Sequence, residues 1–173
     1  MNIYKNKAGF NFTILSRDGK KCIIKFLDTN YVRECYLVNA MAGKVKDVYA
    51  KTRYGIGYMG DYTKYPFHKQ AMQLWANVMK RCYSDNDPKG YKGEVVVDPR
   101  WHCYANFVDD IQHLNNFDKW LAKEGYQLDK DLINQEAKCY SRYTCSFVTE
   151  AENKSAGKLG KKLVNGCWVT TSA

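Results

Sequence analysis

Two acidic residues and one asparagine in the last third of the chain are candidate ligands for a divalent cation. Asp129 and Asp131 flank Lys130 at the end of a short apolar run, and Asn153 follows further along the chain. Carboxylate and amide oxygens are hard ligands of the kind that Mg²⁺ binds in proteins. If the fold brings Asp129 and Asn153 together, a magnesium site is expected there.

The segment that carries these residues predicts a strand, a polar loop, a second strand and a helix. The apolar run before the acidic cluster predicts the first strand, which ends near Asp129, and 144–148 predicts the second. Thr149 and Glu152 have the spacing of a capping box, so a helix is expected to begin there. Asn153 would then lie about one turn into the helix. A strand pair packed against a helix can bring Asp129 and Asn153 together.

The same segment resembles the HNH, or His-Me finger, nuclease motif of phage and intron-encoded homing endonucleases. Those enzymes show an apolar residue, Asn or Asp, and His, followed by a polar loop and then Asn-Leu-x-Trp-Val-Thr-x-x-Glu-Asn. Leu128-Asp129-Lys130 corresponds to the first part, and the run CSFVTEAEN at 145–153 corresponds to the second. A looser likeness begins at Trp75-x-x-x-Met79-x-Arg81-Cys82-Tyr83 and includes Trp101.

The resemblance implies a ββα-metal element over about residues 126–157. It also implies that Asp129 and Asn153 hold Mg²⁺, or another divalent cation, and that the substrate is double-stranded DNA. The activity expected from it is metal-dependent hydrolysis of phosphodiester bonds.

The chain departs from the family at the histidine that activates the attacking water, because Lys130 stands in that place. A lysine in water is mostly protonated at neutral pH, which makes it a poor base. The candidate catalytic residues are therefore Lys130, as a phosphate contact or a base, and Asp131, as an alternative water activator. A histidine from elsewhere in the chain is a further alternative. Without the resemblance, the residues favour Asp129 and Asp131 as surface charges of a hairpin and Asn153 as an ordinary helix residue.

The charge of the chain favours a polyanionic partner. Its 173 residues include 27 Lys and Arg, 14 Tyr and 4 Trp, and the formal net charge is +9. A basic, aromatic-rich surface suits a phosphate backbone with nearby bases, although a soluble basic protein would have the same composition. The candidate nucleic-acid-binding residues lie in the N-terminal region and in the C-terminal tail: Lys21, Lys25, Arg33, Lys44, Lys46, Arg53, Lys154, Lys158, Lys161 and Lys162.

The cysteines and the hydropathy argue against several classes of protein. The seven cysteines contain no C-x-x-C pair, which is unlike a zinc ribbon or a secreted disulfide framework. A metal site made by His102, Cys103, Cys139 and Cys145 is a weaker alternative. No apolar run approaches 18 residues and no signal-peptide pattern begins the chain, so a cytoplasmic location, that of the host cell if a phage encodes the protein, is expected. The oligomeric state stays open.

Hydrophobic periodicity predicts an α+β fold in two parts. Residues 1–60 predict a small antiparallel β subdomain with strands at 10–15, 21–26 and 31–37. Residues 61–173 predict a helical scaffold that carries the ββα segment and a basic tail. Three helices are expected there. One follows Pro66 with Ala71, Leu74, Trp75, Val78, Met79, Cys82 and Tyr83 on its apolar face, one buries Tyr104, Phe107, Val108 and Ile111, and one spans 117–124 with Trp120 and Leu121 inward.

Three functions are compatible with these observations. The first is a phage-type, HNH-like DNA endonuclease. The second is a DNA-binding protein that has the same fold but has lost the chemistry, which the absent histidine favours. The third is a phage protein that binds and inhibits a host protein and needs no metal.

Overall fold

The computed structural model describes residues 2–62, 64–86, 92–131, 138–159, 161–164 and 167–170, with backbone alone for 155–159, 161–164 and 167–170. The fold is α+β, as predicted, with an N-terminal antiparallel sheet followed by helices. The chain divides into two compact units, one of Met1–Thr52 and Tyr58–Asp61 and the other of Arg53–Gly57 and Tyr62–Ala173. Within the described ranges, no helix has both the length and the apolarity needed to cross a membrane.

The first unit contains a four-stranded antiparallel sheet in the order β1-β2-β3-β4. The strands are β1 (Ile3–Lys5), β2 (Asn11–Asp18), β3 (Lys21–Phe26) and β4 (Val32–Tyr36). Gly19 opens the two-residue turn between β2 and β3 with φ 54°, a conformation that glycine adopts without steric cost. The three predicted strands are confirmed, and β1 adds a fourth.

Helix α1 (Leu37–Met41) follows β4 directly. The sequence pattern extended the strand to Leu37, and that boundary was wrong because the chain turns into a helix after Tyr36. Ala40 of α1 packs on the inner face of the sheet, where the core consists of Phe12, Cys22, Ile24, Phe26, Ala40 and Val45.

Three helices form the scaffold of the second unit: α2 (His68–Tyr83), α3 (Tyr104–Ile111) and α4 (Phe117–Leu121). The predicted apolar face of α2 is confirmed, with Trp75, Val78 and Met79 at most 2% exposed. The predicted inward residues of α3 are also buried. In contrast, α4 ends at Leu121 instead of at residue 124, because Lys123 takes a left-handed backbone conformation (φ 62°) and stops the helix. Leu121, which was predicted to point inward, is 36% exposed.

The remaining elements include the predicted strand–strand–helix segment. They are β5 (Val96–Val97), a 3₁₀ helix (Pro99–His102), β6 (Tyr126–Asp129), β7 (Cys139–Tyr140), β8 (Ser146–Thr149) and α5 (Glu150–Leu159). Strand β6 pairs antiparallel with β8, whereas β7, which lies between them in sequence, pairs in parallel with β5. A last antiparallel pair, β9 (Lys161–Val164) and β10 (Cys167–Thr170), follows α5.

Candidate metal and nucleic-acid site

The pairing of β6 with β8 decides which side chains share a face with Asp129. Asp129 lies directly opposite Ser146, and Tyr126 lies opposite Thr149 at the other end of the pair. Residues directly opposite each other in an antiparallel pair project to the same face, with Cβ atoms about 5 Å apart. The register therefore brings the Asp129 carboxylate and the Ser146 hydroxyl onto one face.

The other face of β8 anchors the strand pair to the helical scaffold. Phe147 is completely buried and stacks on Trp120 of α4, with ring centroids 4.9 Å apart. The Asn116 side-chain amide donates to the Phe147 carbonyl at 2.9 Å, and the Phe147 N–H donates to the Asn115 carbonyl at 3.2 Å. Asn116 has φ 59°, which asparagine tolerates better than most residues. The strand that faces Asp129 is thus held by a ring stack and two hydrogen bonds.

A reciprocal capping box begins α5, as the sequence predicted. A carboxylate oxygen of Glu152 accepts the Thr149 backbone N–H at 2.7 Å, and the Thr149 hydroxyl accepts the Glu152 N–H at 3.2 Å. Each side chain satisfies a backbone donor that the first helical turn would otherwise leave unpaired. Asn153 is the fourth residue of α5 and is partly buried. The Cα atoms of α5 come within 8 Å of both β6 and β8.

The Asp129–Ser146 face contains two buried polar side chains. Asp129 is 8% exposed and accepts the backbone N–H of Asp131 at 2.9 Å. Ser146 is 1% exposed, and its hydroxyl finds no hydrogen-bond partner among the described residues. A buried polar group without a partner costs about 1–3 kcal/mol. Such a group calls for a bound water, ion or ligand atom.

The donor atoms at this face are hard oxygens of the kind that Mg²⁺ binds in proteins. Asp129 supplies one carboxylate, and Ser146 supplies a neutral oxygen opposite it. Mg²⁺ is commonly bound by one or two carboxylates together with waters and substrate phosphates. In the described residues, no group of three or more His, Cys, Asp and Glu side chains could hold a metal by itself. The structure therefore does not assemble the alternative site of His102, Cys103, Cys139 and Cys145.

The two candidate catalytic residues contact each other. Lys130 is 6% exposed, its ammonium is ion-paired with the Asp131 carboxylate, and its Nζ lies 6.0 Å from the centroid of the Tyr140 ring. The Lys130 side chain thus lies between a carboxylate and a ring face. The Asp131 side chain is 44% exposed, so Asp131 is the solvent-facing member of the pair.

Tyr140 supports the Lys130 ammonium from β7. Its hydroxyl accepts a hydrogen bond from Arg81 at 3.5 Å. Burial raises the pKa of Tyr140 to about 12, in spite of the opposing effect of Arg81. The ring is therefore neutral at physiological pH, and it offers Lys130 an uncharged π face.

A buried carboxylate that the sequence analysis missed fixes the loop between β7 and β8. Asp110 of α3 is 3% exposed and accepts hydrogen bonds from Arg100 Nε at 2.8 Å and from the Trp101 indole N–H at 2.9 Å. Arg142, in the loop, reaches Asp110 at 3.5 Å. Burial by itself would raise the pKa of Asp110, but the bonds from Arg100 and Trp101 and the two arginine charges lower it overall. Asp110 lies between Val108 and Ile111 of the apolar stripe, so its position on the helix was the available indication of burial.

The predicted basic residues of the first unit do not form one surface. Lys21 and Lys25 project from the outer face of the sheet, and Lys21 is ion-paired with Glu34 at 2.6 Å. Arg33 pairs in register with the buried Ile24 and so projects from the opposite face, where it donates to the Lys46 carbonyl at 3.5 Å. Lys44 and Lys46 line a separate cavity of about 520 Å³.

The remaining predicted basic residues belong to the second unit. Arg53 lies with its guanidinium 5.9 Å from the centroid of the Trp75 ring. Lys154 is exposed and ion-paired with Glu150 at 2.5 Å, one helical turn away. The side chains of Lys158, Lys161 and Lys162 lie outside the described residues.

Models of known protein families, curated proteins and solved structures were compared with the chain, and none matches it.

Proposed function

We propose that the protein is a metal-dependent DNA endonuclease of the ββα-metal type. The observation that carries the proposal is the face of the β6–β8 pair on which Asp129 lies opposite the buried hydroxyl of Ser146, which has no hydrogen-bond partner in the described part of the chain, with α5 beginning at a bonded capping box. This strand–strand–helix order and these oxygen donors suit a magnesium ion, and the net charge of +9 suits a DNA partner.

The proposed roles divide between the residues of the acidic cluster. Asp129 and Asn153 would hold the cation, with the Ser146 hydroxyl beside Asp129. A bound Mg²⁺ supplies polarisation of the phosphate and stabilisation of the leaving oxygen. Asp131, whose carboxylate is exposed, would activate the attacking water. The ion pair with Lys130 orients Asp131 and offsets the repulsion between two neighbouring carboxylates.

The test is a plasmid-nicking assay with Mg²⁺, in which the wild type is compared with Asp129→Asn and Asn153→Ala. Asp129→Asn removes the negative charge of the carboxylate ligand and Asn153→Ala removes the amide oxygen, and we expect each to slow nicking by about a hundredfold or more. Asp118→Asn is the matched control because Asp118 is an exposed carboxylate on α4, and it should nick like the wild type. Magnesium-dependent nicking that neither Asp129→Asn nor Asn153→Ala changes would refute the assigned site.

A second candidate function is DNA binding without cleavage. The observation that favours it is the Lys130–Asp131 ion pair, because Lys130 stands where the related nucleases have their histidine base and its amine is already engaged. In this case the wild type would bind duplex DNA, no divalent cation would induce nicking, and Asp129→Asn would bind as tightly as the wild type.

A further inference from the structure

A groove of about 520 Å³ runs along the solvent side of α2 in the second unit, away from the apolar face of that helix. Its lining includes Arg53, Tyr54, Lys69, Gln73, Asn77 and Lys80. Of these residues only Arg53 belongs to the basic set that the sequence analysis identified. The groove is therefore a surface that the proposed magnesium site does not use.

One wall of the groove is a tight turn that is built onto α2. The Arg53 N–H donates to the Gly57 carbonyl at 2.9 Å, and the Gly57 N–H donates to the Arg53 carbonyl at 2.8 Å. A Cβ atom at Gly57 would lie 3.0 Å from Trp75 Cζ2 and 2.9 Å from Met79 Cε. Glycine thus permits an approach to α2 that a larger residue would prevent. The position of this wall is set by packing and by the two hydrogen bonds.

The turn presents a cation and an aromatic ring to the groove. The Arg53 guanidinium lies over the buried Trp75 ring, whose indole N–H donates to the Trp101 carbonyl at 2.8 Å. Tyr54 is 40% exposed and has φ 53°, a backbone conformation that residues other than glycine, asparagine and aspartate rarely adopt. The two backbone hydrogen bonds between Arg53 and Gly57 close the turn that contains Tyr54 and hold its backbone in that conformation.

The other wall is a polar stripe of α2. Lys69, Gln73, Asn77 and Lys80 recur at three- and four-residue spacing and so share one side of the helix. The Gln73 amide donates to the Asn77 side-chain oxygen at 2.9 Å, which orders the middle of the stripe. The helical rise separates the two lysines by about 16 Å along the axis. That span corresponds to about five phosphates of one DNA strand.

The charge of the groove has one sign. Arg53, Lys69 and Lys80 line it, and none of the described residues that line it is acidic. A concave surface with a lysine at both ends, amide donors between them and one exposed ring complements a phosphodiester backbone with its sugars and bases.

We infer that this groove binds the phosphate backbone of DNA and positions the DNA for the proposed nuclease site of the same unit. The choice of DNA over other polyanions rests on the proposed nuclease function. The positive charge of the groove is an observation that does not depend on that proposal. Lys69 and Lys80 each contact a phosphate. Arg53 and Tyr54 contact the part of the DNA strand that lies between these two phosphates.

The test measures DNA binding without cleavage, by fluorescence anisotropy of a short labelled duplex in a chelating buffer. Each lost phosphate contact lowers the salt dependence by about 0.9 in log–log slope and, at about 0.1 M salt, costs about eightfold in affinity. The double variant Lys69→Ala/Lys80→Ala should therefore bind about sixtyfold more weakly than the wild type, with a slope smaller by about 2.

The matched control is Lys123→Ala/Lys138→Ala, which removes the same charge from two exposed lysines of the same unit that do not line the groove. We expect this control to stay within about threefold of the wild type. Thermal melts of both doubles establish that each one folds. Equal weakening by both doubles, or binding of the groove double at wild-type affinity, would overturn the inference. Competition by polyglutamate as effective as that by DNA would reject DNA as the specific occupant.

The assignment of the groove and the assignment of the nuclease site can be tested independently. Asp129→Asn should bind the duplex like the wild type while losing nicking, because Asp129 does not line the groove. If the groove double binds normally but nicking still requires Asp129, then the groove assignment is wrong and the nuclease proposal stands. If the wild-type protein never nicks DNA but loses affinity for DNA on substitution of Lys69 and Lys80, then the nuclease proposal is wrong and the groove assignment stands.

Discussion

Asp110 is the residue whose substitution most directly tests how the helical scaffold holds the candidate site. Its carboxylate accepts two hydrogen bonds from Arg100, at 2.8 and 3.1 Å, one from Trp101 at 2.9 Å and one from Arg142 at 3.5 Å. Arg142 belongs to the loop between β7 and β8, so the network joins α3 to the ββα segment. Asp110→Asn keeps one acceptor oxygen and removes the charge, and Asp110→Leu removes both.

The expected cost follows from what each substitution leaves unpaired. The side chains of Arg100 and Arg142 are 44% and 47% exposed, so water can solvate both guanidinium groups after the change. Asp110→Asn should therefore cost about 1–2 kcal/mol, less than the loss of one member of a fully buried ion pair. Trp101 is completely buried, so Asp110→Leu also leaves its indole N–H without an acceptor and should cost about 3–4 kcal/mol in total.

Urea unfolding followed by tryptophan fluorescence measures these costs, because all four tryptophans belong to the second unit. Asp109→Asn is the matched control. Asp109 is 65% exposed and approaches Arg100 at 3.8 Å, so its substitution should change the free energy of unfolding by no more than about 0.5 kcal/mol. If Asp110→Asn is as stable as Asp109→Asn, the Asp110 network does not stabilise this unit and the reasoning is wrong.

The same pair of proteins has a defined pH dependence. The folded-state pKa of Asp110 lies below its ordinary value, so the contribution of the carboxylate to stability is present above the unfolded pKa and is lost as the pH falls through the folded pKa. The difference in stability between wild type and Asp110→Asn should be constant from neutral pH to about 5 and should shrink below about 4. A difference that grows on acidification would contradict the lowered pKa.

Two further substitutions test local features of the second unit by the same unfolding assay. Glu152→Ala removes the acceptor of the Thr149 N–H and should cost about 1 kcal/mol, whereas Glu150→Ala, its neighbour in the exposed first turn, should cost less; equal effects would argue against the capping box. Gly57→Ala should cost about 1–3 kcal/mol because the new methyl group meets the rigid Trp75 ring, and unchanged stability would show that the turn is free to move away from α2.

The sequence predicted best those elements whose pattern is local. The apolar stripe recurs within the 16 residues of α2, and its buried members were identified individually. The capping box at Thr149 and the turn at Gly19 were also predictable, because each depends on residues within a few positions of each other. The end of α4 was not, since it depends on the left-handed conformation of one residue, Lys123.

The features that sequence patterns missed depend on partners from distant segments. The burial of Asp110 requires Arg100 and Arg142, which approach it from a 3₁₀ helix and from a loop. The orientation of Arg33 depends on the register of β3 with β4, and a shift of one residue would have placed it beside Lys21 and Lys25. The groove on α2 depends on how closely Gly57 approaches Trp75. No periodicity within one segment encodes these distances.

The parallel pairing of β7 with β5 has a consequence for how the ββα segment can be exchanged between proteins. β7 lies in the connection between β6 and β8, and the backbone bonds from Val96 and Asp98 hold it to a strand outside the segment. Phe147 likewise depends on Asn116 and on the ring of Trp120. The segment 126–159 therefore depends on residues outside it for its structure and cannot be transferred by itself. Grafted into another host without β5 and α4, they would lose the supports that align Asp129 with Ser146, so inheritance of this site requires joint inheritance of its scaffold.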